Sequence, residues 1–365
     1  MQAVFKKEDI TKALGVTLGV VEKKQTLPIL ANVLLEVNES GFHLTATDLE
    51  SEVRTSGPLE SVSSEGRTTT SAKKLNDLCR LIPDGSSIEI RLSGDKIQLK
   101  TPSGKYSLAT LPSDGFPIFE NQENGEQLKV NSKDLRKIFS TTSFAMGNQD
   151  WRHYLNGLYL ELKDDLLTAV ATDAHRLAIN TFEVSPGSSF SGIVPRKSVN
   201  EMTKFLADAD GEVTLLITDS SIELNTGSIT FKSKLIDGNY PDFNQVIPSG
   251  DSFVLEVDVK ELSESLSRVS VLSSDKYRGI RLNVSDGSLM VSANNPEEEA
   301  GEETLSVNYS GENIDIAFNV NYLQEILSHQ EGNVCNIKFF GSDKSCLMLP
   351  PDADFPKYVV MPLLI

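Results

Sequence analysis

Apolar and polar positions along the chain follow two rhythms. The stretch Lys6 to Lys24 carries Ile10, Ala13, Leu14, Thr17, Leu18 and Val21 at the i, i+3, i+4, i+7 spacing that lays one helical face on a core. Matching segments are Ser132 to Met146, through Leu135, Ile138 and Phe139, and Asp258 to Leu272, through Leu262, Leu266 and Val269. Asn131 or Ser132, and Asp258, are the expected N-caps. Further helices are predicted at Ser71 to Leu81, at Pro195 to Leu206 with Pro in the first turn, and at Asn319 to His329. Between the helices the alternation has period two, the mark of strands. Such runs are Ile29 to Val37, Tyr154 to Leu162 and Tyr277 to Val284, then Gly41 to Glu50, Ala169 to Leu177 and Gly287 to Asn295. After each second helix come shorter strands, at 87–92, 96–101 and 105–111, at 212–217, 221–226 and 228–235, and at 334–340, 345–349 and 358–362.

These elements repeat. Ala46-Thr47-Asp48 and Ala171-Thr172-Asp173 end equivalent runs, and Ser292-Ala293-Asn294 stands at the third such place. The ends correspond as well: Leu111 to Pro117 matches Leu235 to Pro241 and Leu349 to Pro356. A repeat of this length is domain-sized rather than a solenoid unit. A chain of 365 residues is in any case expected to divide, since single cores stop growing near about 250–300 residues. The pattern gives three α+β domains, 1–120, 127–248 and 252–365, each reading helix, strands, helix, strands and so internally doubled. The linkers fall near Glu120 to Glu126 and Ser249 to Ser252.

Composition narrows the function. Apolar residues make up 39%, enough for packed cores, and no run approaches the roughly 18 residues of a membrane span. The amino terminus lacks a basic-then-apolar leader pattern, and three cysteines without paired spacing fit a reducing cytoplasm. A net charge of −18 argues against an adhesive nucleic-acid binder. The charge is unevenly spread: the helical segments 6–24, 72–81, 132–148, 195–208, 258–274 and 319–330 hold 16 Lys and Arg against 11 Asp and Glu, a surplus of five, leaving −23 on the rest. Asp173, His175 and Arg176 form the one constellation with catalytic character, as a base pair or, with His153, a metal site. The chain has four His and no HExxH, CxxC, phosphate loop or GxSxG, and Asp48 in the equivalent place has no His-Arg after it. A structural Asp holding a turn is the stronger reading. No cofactor or nucleotide site is expected.

The threefold doubled unit, with Thr26-Leu27-Pro28-Ile29-Leu30, Tyr154-Leu155-Asn156-Gly157, Ala171 to Leu177, Val194-Pro195-Arg196-Lys197, Ala293 to Glu297 and Tyr358-Val359-Val360-Met361-Pro362, closely resembles the bacterial DNA polymerase III beta subunits, the sliding clamps. The resemblance spans the whole chain. It implies the DNA clamp fold, assembled as a head-to-tail dimeric ring with helices inside and sheets outside, and a non-enzymatic processivity factor that encircles duplex DNA. The basic helices would then line the hole, within a Debye length of about 8 Å of the phosphates. By the same resemblance Lys24, Lys73, Lys74, Gln149, Arg152, His153, Arg196 and Lys197 would meet phosphates without reading bases. A cleft for short peptides from the polymerase alpha subunit, the clamp loader and other motif-bearing partners would use Leu155, Thr172, Ala174, His175, Arg176, Leu177, Pro241, Val246, Val359, Met361 and Leu363. Arg152, Tyr154, Asn319, Tyr322 and Ser345 would stand at its margin. Tyr106 and Leu108 would meet Val271 and Leu272 across the dimer joint, with Lys74 and Lys105 facing Glu297. One departure stands out: the family commonly has Gly where this chain has Ala174, so a positive φ there would strain the turn.

Overall fold

The computed structural model describes residues 1–21, 27–120, 125–185, 189–274, 276 and 278–363. Among the described residues six helices form where the apolar stripes predict them: α1 Lys7–Thr17, α2 Ala72–Leu81, α3 Ser132–Thr142, α4 Arg196–Ala207, α5 Val259–Ser270 and α6 Val320–Ser328. In α5 the stripe buries Leu262, Ser265, Leu266 and Val269, and in α6 it buries Val320, Leu323, Ile326 and Leu327. The Asp258 carboxylate caps α5 by accepting the Glu261 N–H at 2.9 Å, Asn319 caps α6, and Asn131 accepts the Lys133 N–H at the start of α3. Pro195 does not enter the first turn of α4. It ends the strand Phe190–Pro195, register partner of Gly157, because that strand runs directly into the helix.

Each repeat opens on a strand rather than on its helix: Gln2–Lys6, Glu126–Asn131 and Phe253–Asp258. These three pair antiparallel with Ser87–Ser93, Glu212–Ile217 and Val334–Phe339, the strands that follow the second helix of the same repeat. Each half-repeat is therefore a strand, a helix and a meander, with its first strand lent to the other half. The run Ala169 to Leu177 is likewise not one strand. It splits into Leu166–Thr172 and Arg176–Glu183 around a turn at Asp173 to His175.

The chain packs as two compact units, one of 1–133 with 200–235, the other of 134–199 with 236–365. This division cuts the second repeat, and sheet continuity explains why. In the first unit Ile229–Lys234 of the second repeat pairs with Ser51–Gly57 of the first, joining both into a 13-stranded sheet. In the second unit Arg176–Glu183 pairs with Lys357–Val360 of the third repeat within a nine-stranded sheet. A separate four-stranded sheet ends on the edge strand Ala300–Ser306. Cys79, Cys335 and Cys346 are free and buried in these cores, and burial pushes each thiol up to about 12.

Candidate functional site

The turn at Asp173 to His175 organises the second unit's junction. The Thr172 hydroxyl donates to the Arg176 carbonyl and accepts the Ala174 N–H, while Asp173 Oδ1 accepts the N–H groups of His175 and Arg176 at 2.9 and 3.1 Å. These bonds hold Ala174 at φ 74°, the left-handed region in which the sequence places a strain. Asp173 is thereby consumed by the turn, and its remaining oxygen takes Arg176 Nε at 3.1 Å. His175 is exposed and stacks on Tyr322, centroids 6.2 Å apart, instead of facing Asp173. A general base pair does not form. Among the described residues no His, Cys, Asp and Glu group is arranged to hold a metal ion.

Arg176 is the structural centre of the junction. Its side chain is 8% exposed and donates to Asp173, to Glu325 on α6 and to the Phe144 carbonyl beyond α3. The guanidinium carbon also lies 4.7 Å from the Tyr322 ring centroid and 5.3 Å from that of Phe144. One side chain thus ties the turn, the end of α3 and α6 together.

Beside it opens a cavity of about 220 Å³, lined by Arg152, Tyr154, Leu155, Thr172, Ala174, Arg176, Leu177, Pro241, Asp242, Phe243, Val246, Val359 and Met361. Its floor is the cross-strand pair Leu177 and Val359, both 2% exposed. Asp242 and Phe243 are absent from the sequence reading, although Phe243 lies only two residues past Pro241 and opens the short 3-10 helix Phe243–Val246. Four sequence-assigned cleft residues stand off this wall: His175 and Tyr322 pack on each other, Asn319 caps α6, and Ser345 is not among the lining residues. Leu363 lies elsewhere. Its N–H donates to Ala317, and its side chain lines a wider hollow of about 980 Å³ with Gly279, Arg281, Asn294 and Glu302.

The proposed phosphate contacts are in mixed circumstances. Lys73 and Lys74 on α2 are exposed, as are Gln149 and His153, while Lys24 lies outside the described residues. Arg196 donates to the Met146 and Gly147 carbonyls, and Lys197 is half-buried. Arg152 is held by Asp150 through Nε and Nη2 at 3.0 and 2.8 Å. That guanidinium, with the Arg152 N–H, keeps the Asp150 carboxyl down at about 2. Arg152 and Arg196 therefore act first as local fastenings. The observed helices still carry 13 Lys and Arg against 8 Asp and Glu. At the expected joint Tyr106 is 40% and Val271 77% exposed, Leu108 and Leu272 are half-buried, and Lys74, Lys105 and Glu297 are exposed.

A repeated α+β architecture, its repeats joined by continuous sheets with a largely apolar cavity beside the pairing of Arg176–Glu183 with Lys357–Val360, is the arrangement of the clamp class. Residues 1–120, 129–242 and 244–364 match the N-terminal, central and C-terminal domains of the DNA polymerase III beta subunit. The chain is 40% identical over 365 residues to a beta sliding clamp of Pseudomonas aeruginosa and 35% identical over 364 residues to that of Escherichia coli, with 100% of both chains covered in each case. It superposes on a crystal structure of the Pseudomonas aeruginosa sliding clamp bound to griselimycin with a TM-score of 0.97 at 39% identity, and on the Caulobacter crescentus clamp with 0.93 at 30%, each over the full length of both chains. The chain belongs to the DNA polymerase III beta subunit family and has the DNA clamp fold.

Proposed function

We infer that this chain is a DNA polymerase processivity factor: a sliding clamp that encircles duplex DNA as a ring of two copies and tethers the polymerase through the cavity at the second junction. Full-length correspondence to solved sliding clamps carries this reading, since all three domains are present and in order. The mechanism is topological. A closed ring keeps the polymerase at high effective concentration near the primer end, and needs no bond-making chemistry. The cavity offers a Leu, Val and Met wall with Arg152 and Tyr154 at its mouth, suited to one or two apolar anchors of a linear peptide. Each buried anchor is worth about 1.5–3 kcal/mol. The replicative polymerase, the clamp loader and other motif-bearing partners would share it.

Ring closure is assigned to two free strand edges. Lys105–Leu111 meets Gly66–Ser71 only through Thr110 and Leu111, so its first five residues have one open side, and Ala300–Ser306 is open along its outer side. Joining the first edge of one copy to the second edge of another is a heterologous contact that closes if the rotation is right. It would place Tyr106 and Leu108 near Val271 and Leu272. The test is retention on nicked circular DNA after loading by a clamp loader. A surplus of only five charges on the helices gives weak direct affinity, so loaded protein should survive salt that strips phosphate-gripping proteins and leave promptly once the circle is cut. Equal retention on circular and open-ended linear DNA would rule the mechanism out.

A further inference from the structure

Trp151, the one tryptophan in the chain, is 83% exposed. A single exposed apolar side chain is ordinary on a protein surface. What sets this one apart is how its backbone is held. Asp150 N–H donates to Asn156 Oδ1 at 2.9 Å, and Asn156 Nδ2 donates back to the Asp150 carbonyl at 2.8 Å. Gly147 N–H donates to Leu155, and the Arg152 backbone and guanidinium both bond Asp150. The loop is braced on both sides of an indole that touches little. The backbone beneath the indole is thus ordered before any partner arrives, leaving only the side chain's own rotamers to be fixed on binding.

Its position is equally defined. The Arg152 guanidinium carbon lies 5.7 Å from the indole centroid, and Arg152 and Tyr154 line the cavity at the junction. The indole is thus separated from the cavity mouth by one side chain, continuous with the surface assigned above to partner peptides. Charge decides between occupants. The adjacent cation is already neutralised by Asp150, so the loop offers a nucleic-acid backbone no free guanidinium, whereas an amphipathic Trp beside an apolar pocket is the composition of a peptide hot spot. We propose that Trp151 is an additional anchor of the partner-binding surface, covering an apolar side chain of the bound peptide outside the cavity itself.

This rests on the cavity being the peptide site, and the experiment separates the two. The probe is a tryptophan-free hexapeptide with adjacent leucine and phenylalanine anchors, added unlabelled to the full-length protein while indole emission is followed, and fluorescein-labelled for affinity by polarisation. Saturation should shift and quench the emission. Trp151→Ala should weaken binding by about tenfold, with Trp151→Phe recovering part. Ala174→Leu, which fills the cavity wall, should remove both the binding and the emission change. If wild type and Trp151→Ala bind alike and the emission stays put, the anchor is refuted while the cavity stands. If wild type does not bind the peptide, the cavity reading fails and this inference with it. Emission that answers to a single-stranded oligothymidine at physiological salt, but not to peptide, would make the indole a base platform and overturn the proposal.

Discussion

Replacing Ala174 by glycine should stabilise the second unit and weaken the cavity at once. A left-handed conformation costs an L-residue about 1–2 kcal/mol, and Ala174 sits there at φ 74°. Glycine removes that strain but adds unfolded-state freedom worth about 0.4–1 kcal/mol, leaving a net gain of about 0.5–1 kcal/mol. The turn's hydrogen bonds come from Thr172, Asp173 and the backbone, so none is lost. The methyl group is half-buried and lines the cavity. Its loss removes part of the roughly 0.8 kcal/mol that a fully buried carbon contributes, an affinity decrease of about twofold for an apolar anchor. The buried thiols give each unit its own reporter, because Cys335 and Cys346 lie in the second and Cys79 in the first. In a urea series with pulsed thiol labelling, Cys335 and Cys346 should become accessible about 0.2–0.5 M later in Ala174→Gly, given slopes of about 2–3 kcal/mol/M, and Cys79 should be unmoved. Earlier exposure of Cys335 and Cys346, or a shift shared by Cys79, would refute the strain argument.

Arg176→Ala should cost the second unit about 2–3 kcal/mol, below the roughly 3–5 of a fully buried pair because Glu325 is half-exposed; Arg176→Lys should restore little, since one ammonium cannot reach three acceptors, and full rescue in the same labelling series would show that charge alone matters. Val271→Ala with Leu272→Ala should give monomers by sedimentation, and a persistent dimer would place the joint elsewhere. Burial pushes the Glu52 carboxyl above its ordinary value, opposed by the Phe119 N–H and by Lys232 and Arg54. A raised acid favours the protonated native state, so the first unit should gain stability as pH falls from above the raised value toward the ordinary carboxylate range. Glu52→Gln, which keeps an acceptor for Phe119, should flatten that slope; a steeper dependence in Cys79 labelling would contradict it.

The helices were legible because their apolar stripes bury against a core, as Leu262, Leu266 and Val269 do. The opening strands were not, since Gln2–Lys6 is five residues long and abuts Lys7 without a turn residue between them, so its alternation merges into the helical pattern. The two-unit packing was hidden for another reason: pairing of Lys357–Val360 with Arg176–Glu183 joins residues that no local pattern relates. At the site, single-sequence reading finds Leu177 and Val359 as apolar but gives no distance between them. It could not foresee that Arg152 and Arg196 commit their guanidinium groups to Asp150 and to the Met146 and Gly147 carbonyls.

Internal symmetry explains why this cavity opens where it does. The first unit contains the same junction: Thr47 donates to Ser51 and accepts from Leu49, Asp48 accepts from Glu50 and Ser51, and Leu49 has φ 75° against 74° at Ala174. Even the incoming strand repeats, since Lys234 N–H donates to Glu50 and Met361 N–H donates to His175, each at 2.9 Å. The scaffold is therefore duplicated and only the side chains differ. Where the second junction has the apolar floor pair Leu177 and Val359, the first has Glu52 and Lys232 in the same register. The buried Glu52 carboxylate accepts the Phe119 N–H at 2.8 Å and so fastens Phe119 to this strand. A shallow hollow of about 260 Å³ remains there, with Leu49 and Lys234 where the cavity has Ala174 and Met361. An apolar anchor entering it would meet the ends of Glu120 and Lys234 instead of an apolar floor, because Glu52 and Lys232 lie beneath the hollow's lining. On the proposed function, what distinguishes the second junction from its copy for a peptide is the pair on its two facing strands, apolar Leu177 and Val359 where the first has charged Glu52 and Lys232.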